Sequence, residues 1–167
     1  MREIKAPNPY YRAPHEPSLF LAGSIEMGNA EGWQRKIVAA LASENVAILN
    51  PRRDDWDSTW VQSIDNPQFR QQVEWELTML ERADVILLYL LPETQSPISL
   101  LELGLFARSG KLWVCCAEGF YRRGNVEVTC RGYGVPFFSS IDDVVDSLLP
   151  LLWVHKEIDA WPQALTR

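Results

Sequence analysis

Histidine is almost missing from this chain: two of 167 residues, His15 and His155, both in terminal stretches. Far from every candidate serine, they leave a Ser/His/Asp arrangement without its base. Cysteine is equally scarce, three in all, and Cys115, Cys116 and Cys130 have no metal-ligand spacing, so zinc has no ligand set. Two of them sit in the apolar run Leu112-Trp-Val-Cys-Cys116, which predicts buried free thiols in a reducing compartment. Positive charge is also short. The chain carries 22 acidic against 16 basic residues, net −6, which argues against DNA or RNA as a partner and against an anionic membrane surface. No apolar run reaches membrane-spanning length and no N-terminal stretch has a signal peptide's apolar core, so a cytoplasmic location is expected.

What is present describes a single α/β domain. At 47% hydrophobic and 23% charged the chain has an ample core, and its seven Trp and five Tyr provide stacking surfaces for a flat ligand. Residues 1–17 are polar with four prolines (Pro7, Pro9, Pro14, Pro17) and read as an extended arm. Short apolar runs at Ser18–Ala22, Val46–Asn50, Val85–Leu91, Leu112–Cys116 and Val135–Phe138 predict strands. Helical patterns fall between and after them, at about 30–44, 68–82, 99–109, 122–131 and 141–152. The alternation implies right-handed crossovers and a parallel sheet covered on both faces, a three-layer sandwich. Five strands so arranged take the flavodoxin-like order 2-1-3-4-5, with the loops after the first and third strands facing each other at the switch point. The domain is expected over 18–152, with 153–167 a C-terminal extension.

Two carboxylates stand out. Glu102 follows the most hydrophobic run, Val85–Leu91, and sits among apolar neighbours where the third strand turns into a helix. Such a position suits a reactive, desolvated carboxylate. The competing reading is a capping box, Glu102 reaching back to the Ser99 amide. Glu76 lies at the edge of the stripe Phe69, Val73, Leu77 and Leu80, spaced for one helical face. It suits either a pocket carboxyl of raised pKa or an ion pair with Arg35 or Arg52. Together they fit glycosidic chemistry, in which one carboxylate attacks ionised and the other, of higher pKa, protonates the leaving group.

The loops supply candidate contacts. Gly23-Ser-Ile-Glu-Met-Gly28 is neither a Rossmann fingerprint nor a P-loop, and reads as a ligand-contacting turn or a plain turn into the next helix. In Asn50-Pro-Arg-Arg-Asp-Asp-Trp56, Trp56 with Trp60 would close over a base, and Asp54 or Asp55 would read its amino groups. The alternative is a solvated turn with self-paired charges, preferred for Arg53.

Phe20-Leu-Ala-Gly-Ser24, the helix carrying Glu76 ahead of Ala83-Asp84-Val85, and Ser96–Ala107 with its Glu-Leu-Gly core together resemble the nucleoside 2-deoxyribosyltransferase superfamily. The likeness covers roughly residues 18–138 and is nearest to the bacterial and phage branch. It implies Glu102 as nucleophile and Glu76, where many relatives have Asp, as the acid that contacts substrate and aids proton transfer. It further implies a deoxyribosyl-enzyme ester, net retention, and no metal or organic cofactor. The implied partners are small deoxynucleosides and free nucleobases, and the implied assembly is a homo-oligomer, dimer or higher. Monophosphate-specific relatives carry an Arg where this chain has Glu26, which favours free nucleosides. Ser96 matches a phosphate-contacting Ser in some relatives and a substrate-binding Asp in others. A Tyr hydroxyl of the family is missing at Phe20, with Tyr89 or Ser24 as substitutes. A partner-subunit residue that reaches the sugar's 5′ end corresponds to the region from Glu127 to Thr129. The superfamily holds both transferases and N-glycosidases; a non-catalytic nucleoside-binding module is the third reading.

Overall fold

A single parallel sheet runs through the molecule, and all five of its pairings are parallel. The computed structural model describes residues 1–25 and 32–157, the stretch 152–157 by backbone alone. Strands β1 (Arg2–Lys5), β2 (Ser18–Gly23), β3 (Ala47–Asn50), β4 (Val85–Leu90), β5 (Leu112–Cys116) and β6 (Phe137–Phe138) lie in the order β1-β3-β2-β4-β5-β6. Among the described residues the sheet therefore has six strands, not the five expected. The five foreseen from apolar runs keep the relative order 2-1-3-4-5, and the sixth comes from the arm.

The arm joins because β3 would otherwise end the sheet with unpaired backbone groups. Arg2 N–H donates to the Val46 carbonyl at 2.9 Å and Ala6 N–H to that of Asn50 at 3.0 Å. Beyond β1 the arm stays pinned: Ala6 and Tyr10 enter the core, and the Trp75 indole N–H donates to the Asn8 carbonyl at 2.7 Å. Arg12 closes the arm onto Asp84 at 2.8 Å.

Two-residue alternation sorts side chains to the two faces of the sheet. Phe20 and Ala22 with Ile86, Leu88 and Leu90 face helices α2 (Pro67–Arg82), α3 (Pro97–Phe106) and α4 (Arg123–Tyr133). Leu19 and Leu21 with Val85 and Leu87 face α1 (Trp33–Ala40) and α5 (Ile141–Glu157). Phe20, Leu21, Ile86, Leu87 and Leu88 are fully buried, each worth about 1.5–3 kcal/mol of transfer free energy.

Helix bounds moved where caps decided them. Asn66 caps α2, its Oδ1 accepting from the Gln68 and Phe69 amides, with Pro67 following. In α3 the cap is Ser96, in the left-handed region at φ 46°, and Pro97 opens the first turn. Glu102 thus stands in the second turn, and the capping-box reading fails because Ser96, not Ser99, is the N-cap, which puts Glu102 three residues beyond the capping-box position. The buried face of α2 is Gln72, Trp75, Met79 and Leu80, and Leu77 of the expected stripe is exposed. Among the described residues no helix is long and apolar enough to cross a membrane.

Candidate active site

Parallel strands place all their carboxyl ends on one edge, and there the loops after β2 and β4 meet at the switch point. At the end of β2, Gly23 sits opposite Tyr89 with φ +134°, and a Cβ there would fall 2.2 Å from the Tyr89 carbonyl oxygen. Only glycine lets the two backbones approach this closely. Gly23→Ala is expected to cost more than about 3 kcal/mol in urea unfolding; a loss under about 1 kcal/mol would show that the two strands separate freely at that point.

The next residue locks the two loops together. Ser24 N–H donates to the Tyr89 carbonyl at 2.9 Å, and the Leu91 amide donates to Ser24 Oγ at 3.1 Å. The hydroxyls of Ser24, Thr94 and Ser96 lie 2.7–2.9 Å from one another, all buried. Thr94 Oγ1 also lies 2.8 Å from the Leu91 carbonyl and donates to it. This triangle fixes Ser96, and through it the start of the helix that carries Glu102. Thr94 had no signal in the sequence beyond its place near a turn.

Glu102 is 8% exposed and projects from the side of α3 that packs on β2 and β4. Burial pushes its carboxyl up to about 8, and the neighbouring Glu76 carboxylate pushes in the same direction. Among the described residues no donor is paired with it. Glu76 is half-buried on α2 and also raised by burial, but Gln72 opposes that rise by donating Nε2–H to its Oε1 at 2.8 Å. The ion pair with Arg35 or Arg52 is not formed; an amide on the same helix takes the place of an arginine. The two carboxyls therefore stand close enough for Glu76 to repel the charge of Glu102, and both are raised above the ordinary carboxylate range. Gln72 opposes the rise at Glu76, while no donor among the described residues opposes it at Glu102.

The loop after β3 is less open than its sequence suggested. Asp54 pairs with Lys5 at 2.7 Å, and Asp55 takes both ends of the Arg53 guanidinium at 2.9 Å. Arg53 in turn lies 5.0 Å from the Trp60 ring centre, and Trp60 meets Trp56 edge-on at 5.1 Å. The self-paired reading thus holds for Arg53 and Asp55, while Trp56, 44% exposed, keeps a free face. The two indoles, 61° apart, do not form a parallel slot.

Other positions are spread more widely. Glu127 is exposed and Thr129 half-buried on α4, which packs on β5 and β6, beyond β4 from the switch point. Glu26 lies outside the described residues. Phe20 is fully buried against Trp75, ring centres 6.3 Å apart. Tyr89 cannot stand in for it: its ring packs edge-on against Trp33 at 5.4 Å, on the opposite face of the sheet. The three cysteines are buried and free, and burial raises each thiol further from reactivity. Among the described residues no cluster of His, Cys, Asp or Glu could hold a metal ion.

The model of a protein family described as "Nucleoside 2-deoxyribosyltransferase like" matches residues 16–120. That span takes in β2 to β5, the hydroxyl triangle and both carboxyls. No curated protein matches the chain.

Proposed function

Since the chain belongs to the nucleoside 2-deoxyribosyltransferase-like family, we propose that it exchanges the base of 2′-deoxynucleosides through a deoxyribosyl ester on Glu102. The observation that carries this reading is the coupled, desolvated pair Glu76–Glu102 at the switch point of the sheet. In this mechanism the pair carries one proton, which the first half-reaction uses. Glu76 takes the proton of Glu102 and passes it to a ring nitrogen of the base. The Glu102 carboxylate attacks C1′, the C1′–N bond breaks, and its electron pair leaves with the protonated base. An incoming base reverses these steps on the same face of the sugar, which gives net retention.

Free nucleosides are the proposed substrates, because Glu26, where relatives that take monophosphates carry Arg, would repel a 5′-phosphate. In this reading Gly23, Ser24 and Ser96 shape the sugar end of the pocket through the hydroxyl triangle. The exposed face of Trp56 stacks on the base, with Asp54 and Asp55 at its rim. Glu127 and Thr129 reach the 5′ end of a nucleoside bound to a second copy of the chain. Neither a metal nor an organic cofactor takes part.

A chromatographic assay tests the proposal. Thymidine, deoxycytidine and deoxyadenosine are incubated singly with the protein, with and without free adenine. A new deoxynucleoside that needs the added base is the expected product. Free base and deoxyribose released equally without adenine would make the protein a hydrolase with the same nucleophile.

A further inference from the structure

The Gln72 side chain is almost wholly enclosed, 4% exposed, and each hydrogen of its amide is committed. Nε2 donates to the Pro51 carbonyl at 2.8 Å and to Glu76 Oε1 at 2.8 Å. Its carbonyl oxygen is buried with no hydrogen-bond partner. The orientation of this amide is therefore determined by its neighbours. Turned over, it would set an oxygen against two oxygens and lose both bonds.

Two consequences follow from that fixed orientation. Gln72 can offer Glu76 a donor and nothing else, so it favours the carboxylate over the carboxylic acid. Held at its other hydrogen by Pro51, it also joins Glu76 to the loop that carries Arg53, Asp55 and Trp56. The charged groups around this point are few and mostly spent on one another. From the β3 loop come Arg53, paired with Asp55, and Asp54, paired with Lys5 of the arm. Arg52 lies on the same loop, and on α2 itself Arg70 pairs with Glu74 at 3.7 Å. Glu102 faces Glu76 from α3. No cation among these is paired with Glu76, which leaves Gln72 as the group that favours its charged form against the desolvation that opposes it.

We propose that Gln72 is a positioning residue whose fixed amide donor favours the Glu76 carboxylate over its acid, biasing the pair's proton toward Glu102, and holds Glu76 in register with the loop after β3. It does not touch the reacting atoms. The inference rests on the base-exchange reading for its purpose, but its physical content is independent of any turnover.

The test is a carboxyl carbon NMR titration of the full chain, side by side with the pH profile of base exchange, for wild type and Gln72→Met. Methionine keeps the volume and removes both donors. In the wild type the Glu76 midpoint is expected below that of Glu102; the opposite order overturns the proposal without any variant. In Gln72→Met the Glu76 midpoint is expected to rise by about one to two pH units, and the acid limb of kcat/KM to move with it. An unmoved Glu76 midpoint, or a uniform loss of activity at every pH, overturns it. Absence of base exchange in the wild type, with the expected midpoints, would remove the proposed function and leave the proton placement standing.

Discussion

Glu102→Gln is expected to lower base exchange by about three orders of magnitude or more, while nucleoside binding measured by calorimetry stays within a few-fold of wild type. The amide preserves the shape of the carboxyl in the second turn of α3 but has no oxygen able to form the ester. It also removes the proton that the departing base takes up. A thousandfold loss corresponds to about 4 kcal/mol of barrier, more than any rearrangement of one surface contact supplies. Wild-type turnover in the variant would remove Glu102 as nucleophile. A tenfold loss accompanied by equally weakened binding would leave it as a binding residue only.

The same substitution has a second, opposite effect on the folded state. Glu102 titrates near 4.5 in an unfolded chain and near 8 in the fold, because burial and then Glu76 disfavour its charge. Below pH 4.5 both states hold the proton, and the residue costs nothing through ionisation. Between those two values the unfolded chain sheds its proton while the fold retains it, so stability falls as pH rises, and it levels off above the folded value. Glutamine has no such dependence. Glu102→Gln is therefore expected to gain stability relative to wild type from pH 5 to pH 8, by about 3 kcal/mol as a ceiling. Urea midpoints at the two pH values measure it. A difference between variant and wild type that is flat with pH would mean that Glu102 is already ionised in the fold. It would then have a counter-charge outside the contacts described. The expected gain and the expected loss of activity belong together: a site that must keep a carboxyl dry is strained by the same desolvation that makes it reactive.

Much of this arrangement was readable in the chain, for physical reasons that differ from residue to residue. The strands of the core were plain because a strand covered on both faces is a continuous apolar run, as in Val85–Leu90. Glu102 stood out because a carboxylate among leucines has few innocent explanations. Arg2–Lys5 gave no such signal, since an edge strand of four residues needs only one apolar side chain, Ile4, turned inward. The start of α3 was misjudged from Ser99, although Ser96-Pro97 is the stronger pattern: proline loses nothing at a first turn, where its amide would be unpaired. Gln72 was legible in hindsight, four residues before Glu76 and so beside it on a helix. Thr94 was not, because a hydroxyl acquires its partners from loops distant in sequence. Asp54 and Asp55 were half legible; composition puts charges in a turn, but only the fold brings Lys5 to one and aligns Arg53 with the other.

The arm's strand also bears on how this protein keeps to itself in a crowded solution. Ala47-Ile-Leu-Asn50 is wholly buried, and without β1 it would close the sheet as an apolar ribbon with its peptide groups open to any passing strand. Such ribbons seed aggregation. In its place the sheet presents Arg2, Glu3 and Lys5, whose charges resist a further strand, and at its other end β6 is only two residues long. By this means a sheet with a strongly apolar interior is left with two borders that offer an unpaired chain little to hold.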